Sequence, residues 1–247
     1  MIAIRRGDEI KALTLDLDDT LWQVWPAIER AESVLHDWLG CHAAATAERF
    51  DRAALRALRE AVAIEHPEWR HDFTRMRRES LARALVAAGD DPALAGPAFE
   101  AFAVERNRVE LFADVRPALE TLARDRPIVA LTNGNADLRR IGLDKFFTGS
   151  VSAREFGVGK PEPRIFHEAC RLVGVPPGKV LHVGDDWALD IVGAHGAGLR
   201  SAWIQRQGAL EMPIGPAAAD FVGRDLHELV EWLEGGQTGS RVSRVAA

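Results

Sequence analysis

Three carboxylates, Asp16, Asp18 and Asp19, crowd into LTLDLDDTLW (13–22), directly after a run that reads as a buried strand. Like charges so close repel, and in a low-dielectric setting that repulsion raises the pKa of at least one of them, so the cluster calls for a cation or a proton. Further along, Thr132 and Asn133 close the apolar run PIVALTN (127–133). Asp185 and Asp186 close KVLHVGD and its next residue, and Asp190 follows one helical turn later. Taken singly, each Asp reads equally well as a turn or cap residue, as Asp225 does ahead of LHELV. As a set they are hard oxygen donors from separate strand ends. Mg²⁺ takes such donors while leaving its other positions to water and a phosphate oxygen. Lys160, in GVGKPEPRIF, stands out because the chain's 31 basic residues include only four lysines, at 11, 145, 160 and 179. A compact ammonium between Asp185 or Asp190 and a phosphoryl oxygen would offset the repulsion between carboxylate and phosphate, in a loop stiffened by Pro161 and Pro163. The residues spell a metal-assisted phosphate pocket.

The elements that must position them are short apolar runs rich in strand formers. KALTLDL (11–17), PIVALTN (127–133), GSVSA (149–153), KVLHVGD (179–185) and RSAWIQ (200–205) read as parallel strands. ADFVG (219–223) and DLHELVEWLEG (225–235) add an edge strand and a closing helix. Helical patterns at 136–143, 163–174 and 188–198 alternate with the later strands, which predicts an α/β doubly wound parallel sheet with its acidic residues at one edge. Residues 24–112 differ: Ala, Leu, Arg and Glu recur at helical spacing without a strand, which predicts four inserted helices with breaks at Gly40, Pro67 and the GDDP turn of 89–92. An insertion at the carboxyl end of the first strand sits where open α/β sheets bind ligands, so it reads as a lid or as a plain second domain. The expected division is a core of 1–23 and 113–235, a helical cap of 24–112 and a mobile tail of 236–247. Trp22 and Trp25 flank the strand-to-cap junction, either facing a leaving group or packing a hinge. His71, Asp72 and Arg75 read as one cap-helix cluster, either contacting substrate or forming a solvated face.

Bulk properties exclude several classes. The chain has 247 residues, is 47% hydrophobic and 28% charged, and carries a net charge of -6 without a basic stripe, so nucleic acid is not an expected partner. Cys41 and Cys170 lie far apart and outside any CxxC pattern; both read as reduced, mostly buried thiols, as in the cytoplasm. MIAIRRGDEIK holds no apolar signal core and no long apolar span follows, so neither export nor membrane insertion is expected. A monomer or homodimer acting on a small phosphorylated metabolite fits this picture.

DLDDT (16–20), Thr132 in LTNG, Lys160 in GKPEPRIF and GDDWALD (184–190) resemble the four ordered motifs of the haloacid dehalogenase (HAD) superfamily, over about residues 11–205. The helical insertion is similar to that superfamily's C1-type cap. ALTLDLDDTLW, VALTNGNADL, LHVGDDWALDIVGA and EHPEWRHDFTRMR look most like bacterial phosphatases acting on flavin mononucleotide (FMN) or its phosphoribityl-pyrimidine precursor. The resemblance implies that Asp16 is a nucleophile forming an aspartyl phosphate and that Asp18 is a general acid and base. It also implies that Thr132, with the Asn133 and Gly134 amides beside a helix start, holds phosphoryl oxygens. Mg²⁺ would be bound by Asp16, the Asp18 carbonyl and Asp185, with Asp186 and Asp190 behind them; Trp25 and Arg75 are the candidate substrate contacts in the cap. A 2-haloacid dehalogenase, or a sugar-phosphate or nucleotide phosphatase, is the alternative within the superfamily. A phosphoacceptor signalling module would lack the insertion, and a non-catalytic scaffold would have lost one of these residues.

Overall fold

The computed structural model describes residues 10–207 and 219–235; the expectations for the first residues and for the tail 236–247 lie outside the described residues. β1 (Ala12–Leu15), β2 (Ile128–Thr132), β3 (Gly149–Ser152), β4 (Val180–Gly184), β5 (Arg200–Ile204) and β6 (Phe221–Gly223) form one sheet in the order β3-β2-β1-β4-β5-β6. Every pairing is parallel. β1, β2 and β4 are buried at every position, as strands covered on both faces must be. The chain runs outward from β1 to β3 and then returns to β4 on β1's other side. The switch point of the sheet therefore lies between the carboxyl ends of β1 and β4, where α/β sheets place ligands.

Helix Pro163–Val173 starts on a proline, whose fixed φ suits a first turn, and ends at Gly174 with φ 64°. Its apolar stripe, Ile165, Phe166, Ala169 and Cys170, packs with Val129, Leu131, Val151 and Val180 of the sheet. Helix Val115–Asp125, which the sequence reading did not anticipate, leads into β2 and buries Val115, Ala118, Leu119 and Leu122, an i, i+3, i+4, i+7 stripe. Leu226–Leu233 closes the sheet as expected, capped by the Asp225 carboxylate on the Glu228 N–H at 2.9 Å.

Two expected helices differ. Residues 136–143 hold a single turn, Leu138–Ile141, because Gly142 takes φ 77° and ends it. Residues 188–198 are a wide π turn, Trp187–Val192, followed by the short helix Gly193–Gly196.

The chain clusters into two compact units. One holds the sheet and spans the residues up to Trp22, Leu111–Asn133 and the residues from Leu143 onward; the other comprises Gln23–Glu110 and Gly134–Gly142. Residues 134–142, grouped with the sheet on sequence, join the helical unit. The reason is local: Asn107 Oδ1 accepts from the Asp137 N–H at 2.8 Å, Arg106 Nε donates to Asn135 at 3.1 Å, and Arg140 pairs with Glu100 at 2.7 Å.

The helical unit contains Val24–His42, Ala44–Arg49, Arg52–Glu65, Phe73–Ala88 and Ala95–Arg106. The first helix does not break at Gly40 but runs on to His42. A single helical glycine costs about 1 kcal/mol, less than is gained by burying Leu35 and Leu39 against Leu81, Leu85 and Phe102. The breaks at Pro67 and at the Gly89 turn stand as expected, the latter at φ 85°. Glu32, buried at 4% exposure, meets Arg56 at 2.5 Å, Arg59 at 3.2 Å and Arg77 at 3.5 Å. Burial pushes its carboxyl up, but Arg56, Arg77 and Arg59 together hold it below the ordinary value. Both cysteines are free; Cys170 is buried, but Cys41 is exposed, contrary to expectation.

Candidate active site

The acidic residues meet at the switch point because β1 and β4 end side by side. Asp16 follows β1 immediately, and its N–H donates to the Val183 carbonyl of β4 at 2.9 Å. Asp185 and Asp186 follow β4, and the π turn swings Asp190 back beneath the strand end. The turn starts with the Asp186 carboxylate accepting from the Leu189 N–H at 2.8 Å, and Asp190 Oδ2 in turn accepts from the Asp186 N–H at 3.0 Å. Asp190 can lie so close only because position 184 is glycine: a Cβ there would sit 2.3 Å from its carboxyl carbon.

Lys160 completes the cluster. It is 4% exposed, and its Nζ donates to Asp16 Oδ1 and to Asp190 Oδ1, each at 2.5 Å. Its own backbone is held reciprocally by the Asn133 side chain, which accepts from the Lys160 N–H at 2.7 Å and donates to the Lys160 carbonyl at 2.9 Å. The strand carrying Thr132 thus also places the ammonium. Of the two partners considered on sequence, Asp185 and Asp190, Lys160 bonds to Asp190.

One ammonium serves three carboxylates. Burial raises the Asp16 carboxyl well above its ordinary value, Lys160 pulls it back, and Asp190 and Asp185 add to the rise. Asp185 is pushed up to about 7 by burial and by Asp190. Asp190 goes the other way: burial opposes its charge, but Lys160 and His182 overcome that and hold it well below the ordinary range. Lys160 correspondingly keeps its proton more tightly than usual, its own burial being outweighed by Asp16 and Asp190.

Asp16, Asp185 and Asp190 each offer an oxygen within 4.8 Å of the others. Asp190 is already engaged by Lys160, His182 and the Asp186 N–H, so Asp16 and Asp185, with fewer partners, remain as the donors for an ion. A pair of hard oxygens short of positive charge fits Mg²⁺.

The turn after β1 explains residues the sequence left open. Asp19, for which no role was apparent, is exposed at φ 60° with its N–H on the Trp22 carbonyl at 2.8 Å. It makes the left-handed turn that Asp tolerates better than most residues. Asp18 is half-buried, its Oδ1 accepting from the Trp22 indole N–H at 2.9 Å. Trp22 is completely buried, so it cannot face a leaving group; it supports Asp18.

Three contributors were missed. Thr20 donates to Asp185 at 2.8 Å and lies 3.4 Å from Asp16 Oδ2, a role its place at the end of DLDDT could have suggested. Trp203 donates to the Asp185 carbonyl at 2.7 Å. Arg206 donates twice to the Thr20 carbonyl, at 2.7 and 3.1 Å, and pairs with Asp114 at 2.8 Å.

Other expectations need correction. Thr132 is buried at the end of β2, but no helix starts beside Asn133 and Gly134; the next one begins at Leu138, with Asp137 as its cap. His71 and Arg75 do not share a helix face, because Asp72 is the N-cap of Phe73–Ala88 and leaves His71 outside. The Arg75 guanidinium lies 4.0 Å over the Trp69 ring. Trp25 is 55% exposed with the Arg56 guanidinium 5.3 Å over its ring.

Over residues 10–198 the chain matches the haloacid dehalogenase-like hydrolases. It belongs to that family. This HAD hydrolase is 36% identical to 5-amino-6-(5-phospho-D-ribitylamino)uracil phosphatase YigB of Escherichia coli, over 79% of this chain and 84% of that protein. It is 33% identical to a phosphoserine phosphatase of Thermus thermophilus, over 89% of this chain and 98% of the relative. Among solved structures, a 2-haloacid dehalogenase from Pseudomonas syringae pv. Tomato superposes with a TM-score of 0.84 at 38% identity, covering 91% of this chain and 98% of that one. Among the described residues, no helix of this hydrolase is long and apolar enough to cross a membrane.

Proposed function

We propose that this HAD hydrolase is a Mg²⁺-dependent phosphomonoesterase acting on a small phosphorylated metabolite, with FMN or a phosphoribityl-pyrimidine as the leading candidates. The observation that carries this reading is the buried Lys160 bridge between Asp16 and Asp190 beside Asp185. It is a pocket whose carboxylates outnumber its ammonium and which therefore suits a divalent cation and a dianionic ester together.

Asp16, fixed by its backbone bond to β4 and by Lys160, attacks phosphorus; its oxygen–phosphorus bond forms as the ester oxygen departs, and two easier displacements replace one difficult one. Asp18 gives its proton to the departing alkoxide and then takes one from the water that hydrolyses the aspartyl phosphate, releasing inorganic phosphate and restoring Asp16. Lys160 and Thr132 hold charge developing on the phosphoryl oxygens. Asp16, Asp185 and the Asp18 carbonyl would hold Mg²⁺, which would supply further positive charge there.

The dehalogenase structure favours a second reading in which Asp16 displaces a halide. A halide leaves without a proton, so that reaction would give the Asp18–Trp22 pair nothing to do. The deciding experiment is turnover, with Mg²⁺ and with EDTA, on p-nitrophenyl phosphate, FMN, 5-amino-6-(5-phospho-D-ribitylamino)uracil, phosphoserine and 2-chloropropionate. Mg²⁺-dependent release of phosphate that disappears in Asp16→Asn supports the proposal. Chloride release with no phosphate release replaces it with the second reading.

A further inference from the structure

Two polar side chains lie in the sheet's core beneath the acidic cluster, outside the four short motifs at 16–20, 132, 160 and 184–190. Thr14 and His182 face one another across the β1–β4 register, both 0% exposed, on strands whose other positions are apolar or glycine. Thr14 Oγ1 lies 2.8 Å from His182 Nδ1, and His182 Nε2 lies 3.0 Å from Asp190 Oδ1. A carboxylate only accepts, so Nε2 carries the ring proton, Nδ1 is an acceptor, and the Thr14 hydroxyl donates to it. Burial lowers the imidazole's pKa below its ordinary value, against the pull of Asp190. The Phe166 ring packs against the imidazole at 87°, with 5.0 Å between ring centroids. A satisfied buried pair of this kind does little for stability that two apolar residues would not do as well.

We infer that Thr14 and His182 are positioning residues, a directed hydrogen-bond relay that holds the Asp190 carboxylate and through it sets Lys160 against Asp16. The inference rests on the proposed role of Asp16 and Lys160 and assigns no contact with substrate. Asp190 receives three donors, from the relay, Lys160 and the Asp186 N–H, and its close seat against Gly184 walls off another side, which leaves its carboxylate a single orientation. Removing the relay frees Oδ1 from one side, and the ammonium it shares with Asp16 follows it.

The test compares His182→Phe, Thr14→Val, Thr14→Ser and the Thr14→Val/His182→Phe double variant in the full-length protein with Mg²⁺ and p-nitrophenyl phosphate. His182→Phe should lower kcat about 10- to 100-fold, the range seen when a group orienting a key ligand is removed. KM should stay within about twofold, because ground-state binding is not lost. The double variant should melt at or above the wild-type temperature while remaining slow, whereas a merely structural pair would lower stability and rate together. Thr14→Ser should recover most of what Thr14→Val loses. Nitrogen-15 spectra of histidine-labelled wild type should show a neutral Nε2–H ring whose Nδ1 resonance shifts in Thr14→Val. Wild-type kcat in His182→Phe, equal losses in Thr14→Ser and Thr14→Val, or an Nδ1–H ring would each overturn the inference. If His182→Phe does not fold, the two Thr14 variants and the spectra decide. If the wild type releases no phosphate, the proposed reaction fails by itself, and the ring tautomer in wild type against Asp190→Asn still decides the relay.

Discussion

Gly184→Ala is a one-methyl change that should slow this enzyme severely. The added methyl would lie 2.3 Å from Asp190 Cγ and Oδ2 and 2.6 Å from its Cβ, so ordinary contact requires a displacement of about 1 Å. Asp190 has nowhere to go: it is 1% exposed and bonded to Lys160 at 2.5 Å, to His182 at 3.0 Å and to the Asp186 N–H at 3.0 Å. Overpacking of a tight core costs about 1–3 kcal/mol, and loss of a bond to a buried charge adds about as much again. A total of about 3 kcal/mol corresponds to a fall in melting temperature of roughly 6–12 °C for a protein of this size. Because Lys160 moves with Asp190, and a misplacement of about 1 Å costs roughly a hundredfold in rate, kcat should fall by that order even below the new melting point. The matched control is Gly196→Ala, where nothing lies within 4 Å of the new methyl and φ is not positive; it should leave both quantities unchanged. Steady-state kinetics on p-nitrophenyl phosphate and calorimetry of the three proteins suffice. Gly184→Ala with near-normal kcat would show that the Asp190 carboxylate tolerates displacement and that its close seat is not needed.

Lys160→Met should abolish turnover and leave Asp16 and Asp190 buried without their counter-ion. With folded pKa values then raised, the stability these groups contribute is present below their unfolded values near 4 and lost as pH rises. Calorimetry in EDTA should find the variant more stable at pH 5 than at pH 8. Glu32 has the opposite sign: its folded pKa is depressed, so its contribution is present above about 4.3 and lost as pH falls through the lower folded value. Glu32→Gln should destabilise the helical unit by about 3–5 kcal/mol at pH 7, because three arginines lose their buried partner, and should flatten the acid limb of its pH–stability curve. Trp25→Ala should raise KM for FMN and leave p-nitrophenyl phosphate unaffected, since the exposed indole offers a ring-stacking surface; equal effects on both esters would remove it from substrate recognition.

What could be read from the sequence was what local chemistry decides. Strands buried on both faces announce themselves as runs such as KVLHVGD, and Asp16 and Asp185 stand at their carboxyl ends, so the sheet and the meeting of these two followed in chain order, whereas Lys160, in a loop, stood out only by the scarcity of lysine. Most of what escaped was set by distant partners. Thr14 and His182 are separated by 168 positions and meet only through the β1–β4 register. The π turn at Trp187–Val192 is shaped by the seat Asp190 must reach, and local propensity carries no sign of it. His71 and Arg75 seemed neighbours until Asp72 proved to be the cap that fixes where the helix begins. Gly40 suggested a break because glycine weakens helices, but the leucines around it are anchored from other helices.

The allocation of residues 134–142 to the helical unit bears on how this architecture can be rebuilt. A chimera that exchanges only the insertion after β1 would leave Asn135, Asp137 and Arg140 without Arg106, Asn107 and Glu100. Those residues follow directly on Thr132 and Asn133, so the damage would reach the loop that holds Lys160. The backbone passes between the two units at four places, after Trp22, Glu110, Asn133 and Gly142. The unit of transplantation is therefore two segments cut and rejoined together, and specificity grafts between relatives should succeed when 134–142 travels with its helices and fail when it stays behind.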